Sequence, residues 1–99
     1  MTLFLKHIEN ENGRIYYRVN GAEHSRTIVM IHGLAGDSRF FHNQMKYFSS
    51  SYRMISIDLP GHGRSVEYPD LSLESYSKAI NMVIQHENPE NYILAGHSM

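Results

Sequence analysis

The stretch Tyr92-Ile93-Leu94-Ala95-Gly96-His97-Ser98-Met99, with which the chain ends, decides the fold. Tyr92–Ala95 is a short apolar run with the length and character of a buried parallel strand. Gly96-His97-Ser98-Met99 are the opening four positions of a Gly-x-Ser-x-Gly nucleophile elbow, and the closing glycine is absent. A strand running straight into Gly-x-Ser-x is the context such an elbow requires. The turn is tight and strained, so small residues must flank the serine, whose hydroxyl then stands clear of the backbone.

The segments upstream fall into a regular order. Arg53–Asp58 reads as a strand that runs into a loop, Asp58-Leu59-Pro60-Gly61-His62-Gly63-Arg64-Ser65. A helix follows from Ser72, with Leu71 and Tyr76 placed as a hydrophobic staple, an apolar face of Tyr76, Ala79, Ile80 and Val83, and Pro89 just past its end. Nearer the N-terminus, Thr27–Ile31 is continuous and β-branched, a strand covered on both faces. The glycine-punctuated loop His32-Gly33-Leu34-Ala35-Gly36 comes next. Asp37 or Ser38 then caps a helix in which Phe41, Met45 and Phe48 recur at helical spacing. Two strands, Leu3–Ile8 and Arg14–Val19, open the chain around Glu9-Asn10-Glu11-Asn12-Gly13, whose final Asn-Gly is a hairpin signal. Asn20-Gly21 marks the next turn. The order is that of an α/β fold: an antiparallel hairpin followed by a parallel β-α-β-α-β with right-handed crossovers. No repeat, low-complexity tract or linker divides residues 1–99.

Bulk properties exclude several classes of function. The chain has 99 residues, 41% of them hydrophobic and 19% charged, with a formal net charge of -1. No Lys/Arg cluster longer than a pair exists to neutralise phosphates, so no nucleic-acid partner is expected. The chain has no cysteine, which rules out disulfides and thiolate metal sites. Met1-Thr2-Leu3-Phe4-Leu5-Lys6-His7 has neither the basic lead nor the long apolar core of a signal peptide. No apolar run approaches the roughly 20 residues of a membrane span. A cytoplasmic protein is the expectation.

Three motifs now stand in order: His32-Gly33-Leu34-Ala35-Gly36 after the third strand, Asp58–Ser65 after the fourth, and Gly96-His97-Ser98-Met99 after the fifth. In this the whole chain resembles the N-terminal part of an α/β-hydrolase of the serine-nucleophile branch, cut at the nucleophile elbow. The resemblance implies Ser98 as the nucleophile of acyl transfer, a hydroxyl that attacks a carbonyl. The oxyanion formed on attack needs donors already in place. The geometry of the elbow supplies one, the backbone N–H of Met99. The resemblance points to the N–H of Leu34 for the other. Gly33 and Gly96 would support the two turns, and His32 usually braces the oxyanion loop in this family. His97 is adjacent to the serine, so its side chain leaves the elbow in another direction.

In α/β-hydrolases the acid and the base follow the serine in the chain. A single residue follows Ser98 here, so neither is present, and the chain alone is expected to be nearly inactive. Asp58–Ser65 holds Asp, His, Arg and Ser close together, yet it reads as a structural loop: Pro60, Gly61 and Gly63 make the bend, and Asp58 satisfies loop amides. Gly61-His62-Gly63 lacks the third glycine of a dinucleotide fingerprint, and no Gly-Lys-Ser/Thr exists for a phosphate loop. The seven histidines show no His-Glu-x-x-His or other paired spacing. No cofactor and no metal are therefore expected.

The expected function is that of a serine hydrolase acting on a small-molecule acyl substrate (ester, lactone, thioester or amide) through an acyl-serine intermediate. A non-catalytic ligand receptor or scaffold on the same fold is the alternative, and an assembly partner for a complementary half is a third. A chain cut at its central strand exposes an apolar edge, Tyr92–Ala95, so the isolated polypeptide is expected to be poorly soluble.

Overall fold

The computed structural model describes residues 3–69 and 71–97. Five strands form one sheet: β1 (Leu3–Asn10), β2 (Gly13–Asn20), β3 (Thr27–Ile31), β4 (Arg53–Ile57) and β5 (Tyr92–Gly96). Two α-helices accompany them, α1 (His42–Phe48) and α2 (Leu73–Glu87). The spatial order is β1-β2-β4-β3-β5. β1 and β2 are antiparallel, β2 meets β4 antiparallel, and β3 runs parallel to both β4 and β5. An antiparallel hairpin thus leads into a parallel β-α-β-α-β, as the order of segments implied.

Side-chain alternation along the strands divides the core in two. Ile15, Tyr17 and Val19 of β2, Val29 of β3, and Ile55 and Ile57 of β4 share one face with Ala79 and Val83 of α2. Met30 and Met54 turn to the other face, where Phe41 and Met45 cover them. The central strands are apolar on both sides because a helix sits on each. Ile15, Val19, Val29, Ile55 and Ile57 are all fully buried, each stabilising the fold by about 1.5–3 kcal/mol relative to exposure.

The hairpin turns one residue earlier than its Asn-Gly signal, Asn12-Gly13, indicates. Asn10 pairs with Gly13, so Glu11-Asn12 is the loop. The Asn10 side chain accepts from Asn12 N–H at 2.8 Å, and Gly13 takes φ of +136°. An Asx-turn thus does the work assigned to Asn-Gly. The helix expected from residue 37 or 38 divides into a 3-10 turn, Ser38–Phe41, capped by the Asp37 side chain, followed by α1. Phe41 and Met45 are buried, whereas Phe48 is 39% exposed and packs edge-on with Tyr47 and Tyr52. Ser72 caps α2, its side chain accepting from Ser75 N–H. Leu71, just before the cap, stays more than half exposed and lies over Gly61.

β5 lies at the sheet edge, with Tyr92, Ile93 and Leu94 exposed: the apolar run suited to a buried strand is here the open apolar edge expected of Tyr92–Ala95. Among the described residues only β3 pairs with it, and Ala95 alone of its apolar run packs against the cluster of Met30, Phe41, Met45 and Met54.

Candidate active site

Three parallel strands end at one level. Ile31 pairs with Ile57 on one side and with Gly96 on the other, so the segments after β3, β4 and β5 leave the sheet together. His97 N–H donates to Ile31 O at 3.0 Å and carries the ladder one bond beyond the strand. The three sequence motifs therefore meet at the C-terminal edge of the parallel strands, where open α/β sheets form their sites.

The loop after β3 is held from inside by His32, which is 1% exposed. Its Nε2 accepts from Leu59 N–H at 3.1 Å, and its Nδ1 lies 2.7 Å from Gly33 O. A carbonyl can only accept, so Nδ1 carries the hydrogen and the ring is neutral. Burial lowers the imidazole pKa, the nearby His62 ring adds to that, and the bond to Gly33 O partly opposes it. Gly36 N–H also donates to Gly33 O, at 3.0 Å, closing a turn over residues 33–36. Ala35, third in that turn, takes the left-handed φ of +65°.

These bonds aim an amide. In a trans peptide the carbonyl and the following N–H point in opposite directions. Two donors on Gly33 O therefore turn the Leu34 N–H away from the loop interior. Among the described residues no acceptor meets it, and Leu34 is 70% exposed. An unpaired, rigidly held N–H at the ends of parallel strands is what an oxyanion donor requires.

The loop after β4 is built around Asp58, which is 2% exposed. Its carboxylate accepts from Ser38 N–H at 2.6 Å and Arg64 N–H at 3.2 Å. Its carbonyl accepts from Ser65 Oγ at 2.7 Å, and Ser65 Oγ accepts in turn from Tyr16 N–H. Asp58 thereby satisfies loop amides, as its place in the sequence implied. His62 does more than the sequence indicated. Its Nε2 accepts from Ala35 N–H at 3.1 Å, joining the two loops. No spacing or motif signals that bond, since 27 residues separate the partners.

Of the residues singled out in the sequence, His32, Gly33, Leu34, Gly96 and His97 are brought to this one edge. The His97 ring packs against Phe40 at 4.7 Å. At Gly96 an added Cβ would meet nothing within 4 Å. Any crowding that demands glycine there must come from atoms other than those described. Ser98 and Met99 lie outside the described residues. Among the described residues, no group of three His, Cys, Asp or Glu could hold a metal ion, and no helix is long and apolar enough to cross a membrane.

The chain resembles known hydrolases in both sequence and structure. It is 29% identical over 90 residues to a serine hydrolase-like protein of Danio rerio, an overlap of 88% of this chain and 28% of that protein. It is 37% identical over 73 residues to the (E)-2-((N-methylformamido)methylene)succinate hydrolase of Acinetobacter baylyi, covering 73% of this chain and 28% of that enzyme. Among solved structures, the thioesterase domain from the curacin biosynthetic pathway superposes on all of this chain and 36% of its own length, with a TM-score of 0.90 and 26% identity. The chain thus spans about a third or less of each relative. The model of the alpha/beta hydrolase fold matches residues 26–99, from just before β3 to the last residue. The chain therefore belongs to the alpha/beta hydrolase fold family.

Proposed function

We propose that residues 1–99 form the N-terminal part of a single serine hydrolase domain that cleaves a small carboxylic ester or a related acyl substrate. In this reading the Ser98 hydroxyl attacks the carbonyl carbon, and the carbonyl oxygen takes the negative charge in the tetrahedral intermediate. The amides of Leu34 and Met99 receive that charge. The leaving group departs to give an acyl-Ser98, which water then hydrolyses. The acid and the base that activate Ser98 lie beyond residue 99, in chain that the relatives possess. One observation carries the reading: the Leu34 N–H has no acceptor among the described residues and is held rigidly where β3, β4 and β5 end. Removing an oxyanion donor costs about 2.7–4 kcal/mol of transition-state stabilisation, so such a fixed amide has a large effect on rate.

The names of the relatives cover different acyl chemistries, and none is carried over as the substrate. A fluorophosphonate probe tests the mechanism in the full-length protein. Mass spectrometry is expected to find the phosphonyl group on the peptide containing Ser98, and Ser98→Ala to abolish both labelling and ester hydrolysis. A labelled wild type that still hydrolyses esters after the substitution would assign the chemistry to another residue. An unlabelled wild type would favour a ligand-binding role.

A further inference from the structure

We infer that His62, in its neutral form, is a positioning residue that latches the loop after β3 in the conformation presenting the Leu34 N–H. The inference rests on the oxyanion role proposed for that amide. His62 Nδ1 lies 3.0 Å from Pro60 O, so Nδ1 carries the hydrogen and the lone pair of Nε2 faces Ala35 N–H. The ring is held on two sides, by His32 at 5.0 Å and by Tyr76 of α2 edge-on at 6.1 Å. It cannot swing away without disturbing both.

The bond falls at the one place where the loop is strained. Ala35 carries a Cβ yet sits at φ of +65°, a conformation that costs a non-glycine residue of order 1–3 kcal/mol unless its surroundings impose it. Should Ala35 relax, Gly36 N–H, one residue on, would leave Gly33 O. The peptide bearing the Leu34 N–H would then keep only the His32 bond. His62 thus acts through Ala35 and Gly36 on the direction of an amide that it does not touch.

Protonation opens the latch. A proton on Nε2 turns the acceptor into a donor, which then faces the Ala35 N–H. Groups from three segments face the ring. His32 from the loop after β3 is neutral, and Tyr76 from α2 presents its ring. In the loop of His62 itself, Asp58 gives its carboxylate to Ser38 N–H and Arg64 N–H, and Arg64 is exposed.

The test compares wild type, H62F and H62Q as full-length proteins, using fluorophosphonate labelling of Ser98 and hydrolysis of p-nitrophenyl acetate across pH. H62F fills the space without an acceptor. It is expected to lower kcat about tenfold with KM little changed, short of the 10²–10³-fold loss when an oxyanion donor is deleted. H62Q places an untitratable carbonyl oxygen near the site of Nε2 and restores most of that rate. The loss of kcat/KM on acidification is then shallower in H62Q than in wild type, because a glutamine oxygen remains an acceptor at any pH. An H62Q profile that superimposes on wild type overturns the latch, whether or not H62F folds. A wild type in which Ser98 is not labelled overturns the hydrolase reading, and the latch with it.

Discussion

At Gly63 the backbone takes φ of +53°, and an added Cβ would lie 2.5 Å from the carboxyl carbon of Asp58. The two constraints compound. The left-handed conformation costs an L-residue about 1–2 kcal/mol, and relieving the contact means moving a buried carboxylate off the amides of Ser38 and Arg64. Charge-assisted bonds of that kind contribute about 1.5–3 kcal/mol each. Gly63→Ala should therefore lower stability by about 3 kcal/mol or more, read as a reduced urea midpoint with an unchanged m-value. A loss below about 1 kcal/mol would mean that Asp58 has freedom to yield. Gly96 is the contrast, since nothing described crowds it.

At the scale of elements, α2 is the part whose sequence and structure agree most closely. Ser72 accepts from Ser75 N–H at 3.1 Å, and Asn88 closes the helix in the left-handed conformation just before Pro89. Ser72→Ala should cost about 1 kcal/mol. Lys78→Ala, which breaks only an exposed pair with Glu74, should leave the denaturation midpoint unchanged within error. A pair of midpoints in the reverse order would show that the cap contributes little. Local signals of this kind, a capping hydroxyl or a 3.6-residue apolar period, were legible because each is complete within a few residues. The periodicity also put Phe48 on the apolar face of its helix, yet it is exposed. Spacing shows which residues share a face. It does not show how far the partner surface extends. The hairpin had the same limit, because an Asx bond from Asn10 competed with the Asn-Gly signal and prevailed.

Over the whole molecule, legibility ends where residues distant in sequence meet. Lys6, Tyr17 and Arg53 come from three strands and converge on Glu87, with Tyr17 OH donating to its carboxylate at 2.6 Å. Burial alone would raise the Glu87 pKa, but the Tyr17 and Lys6 bonds and the Arg53 charge outweigh it and hold it below its ordinary value. His32 is likewise shifted down, by burial. The two shifts give acidification one sign. An unfolded chain takes up a proton on His32 below about pH 6.5 and on Glu87 below about 4.3, whereas the folded chain resists both. Stability is therefore full above the first value and should fall in two stages as the pH drops. In His32→Gln the first stage should vanish while the second remains, read from urea midpoints between pH 7 and 4. A first stage that persists in the variant would assign it to another group. The spatial order β1-β2-β4-β3-β5 was equally hidden, since no residue announces which distant strand it will pair with.

The pairing of β3 with β5 also acts as a ruler. Thr27 opposite Tyr92 and Ile31 opposite Gly96 set how much of the C-terminal segment projects past the sheet. A slip of one residue would exchange the faces of Leu94 and Ala95. A slip of two would preserve the faces but displace everything after Gly96 by about 6.6 Å along the strand, roughly twice the length of a hydrogen bond. No such graduation mark between the two is available. The distance from the loop that presents Leu34 to whatever follows His97 is thus quantised, and the bond from His97 N–H to Ile31 O is the notch that selects its value.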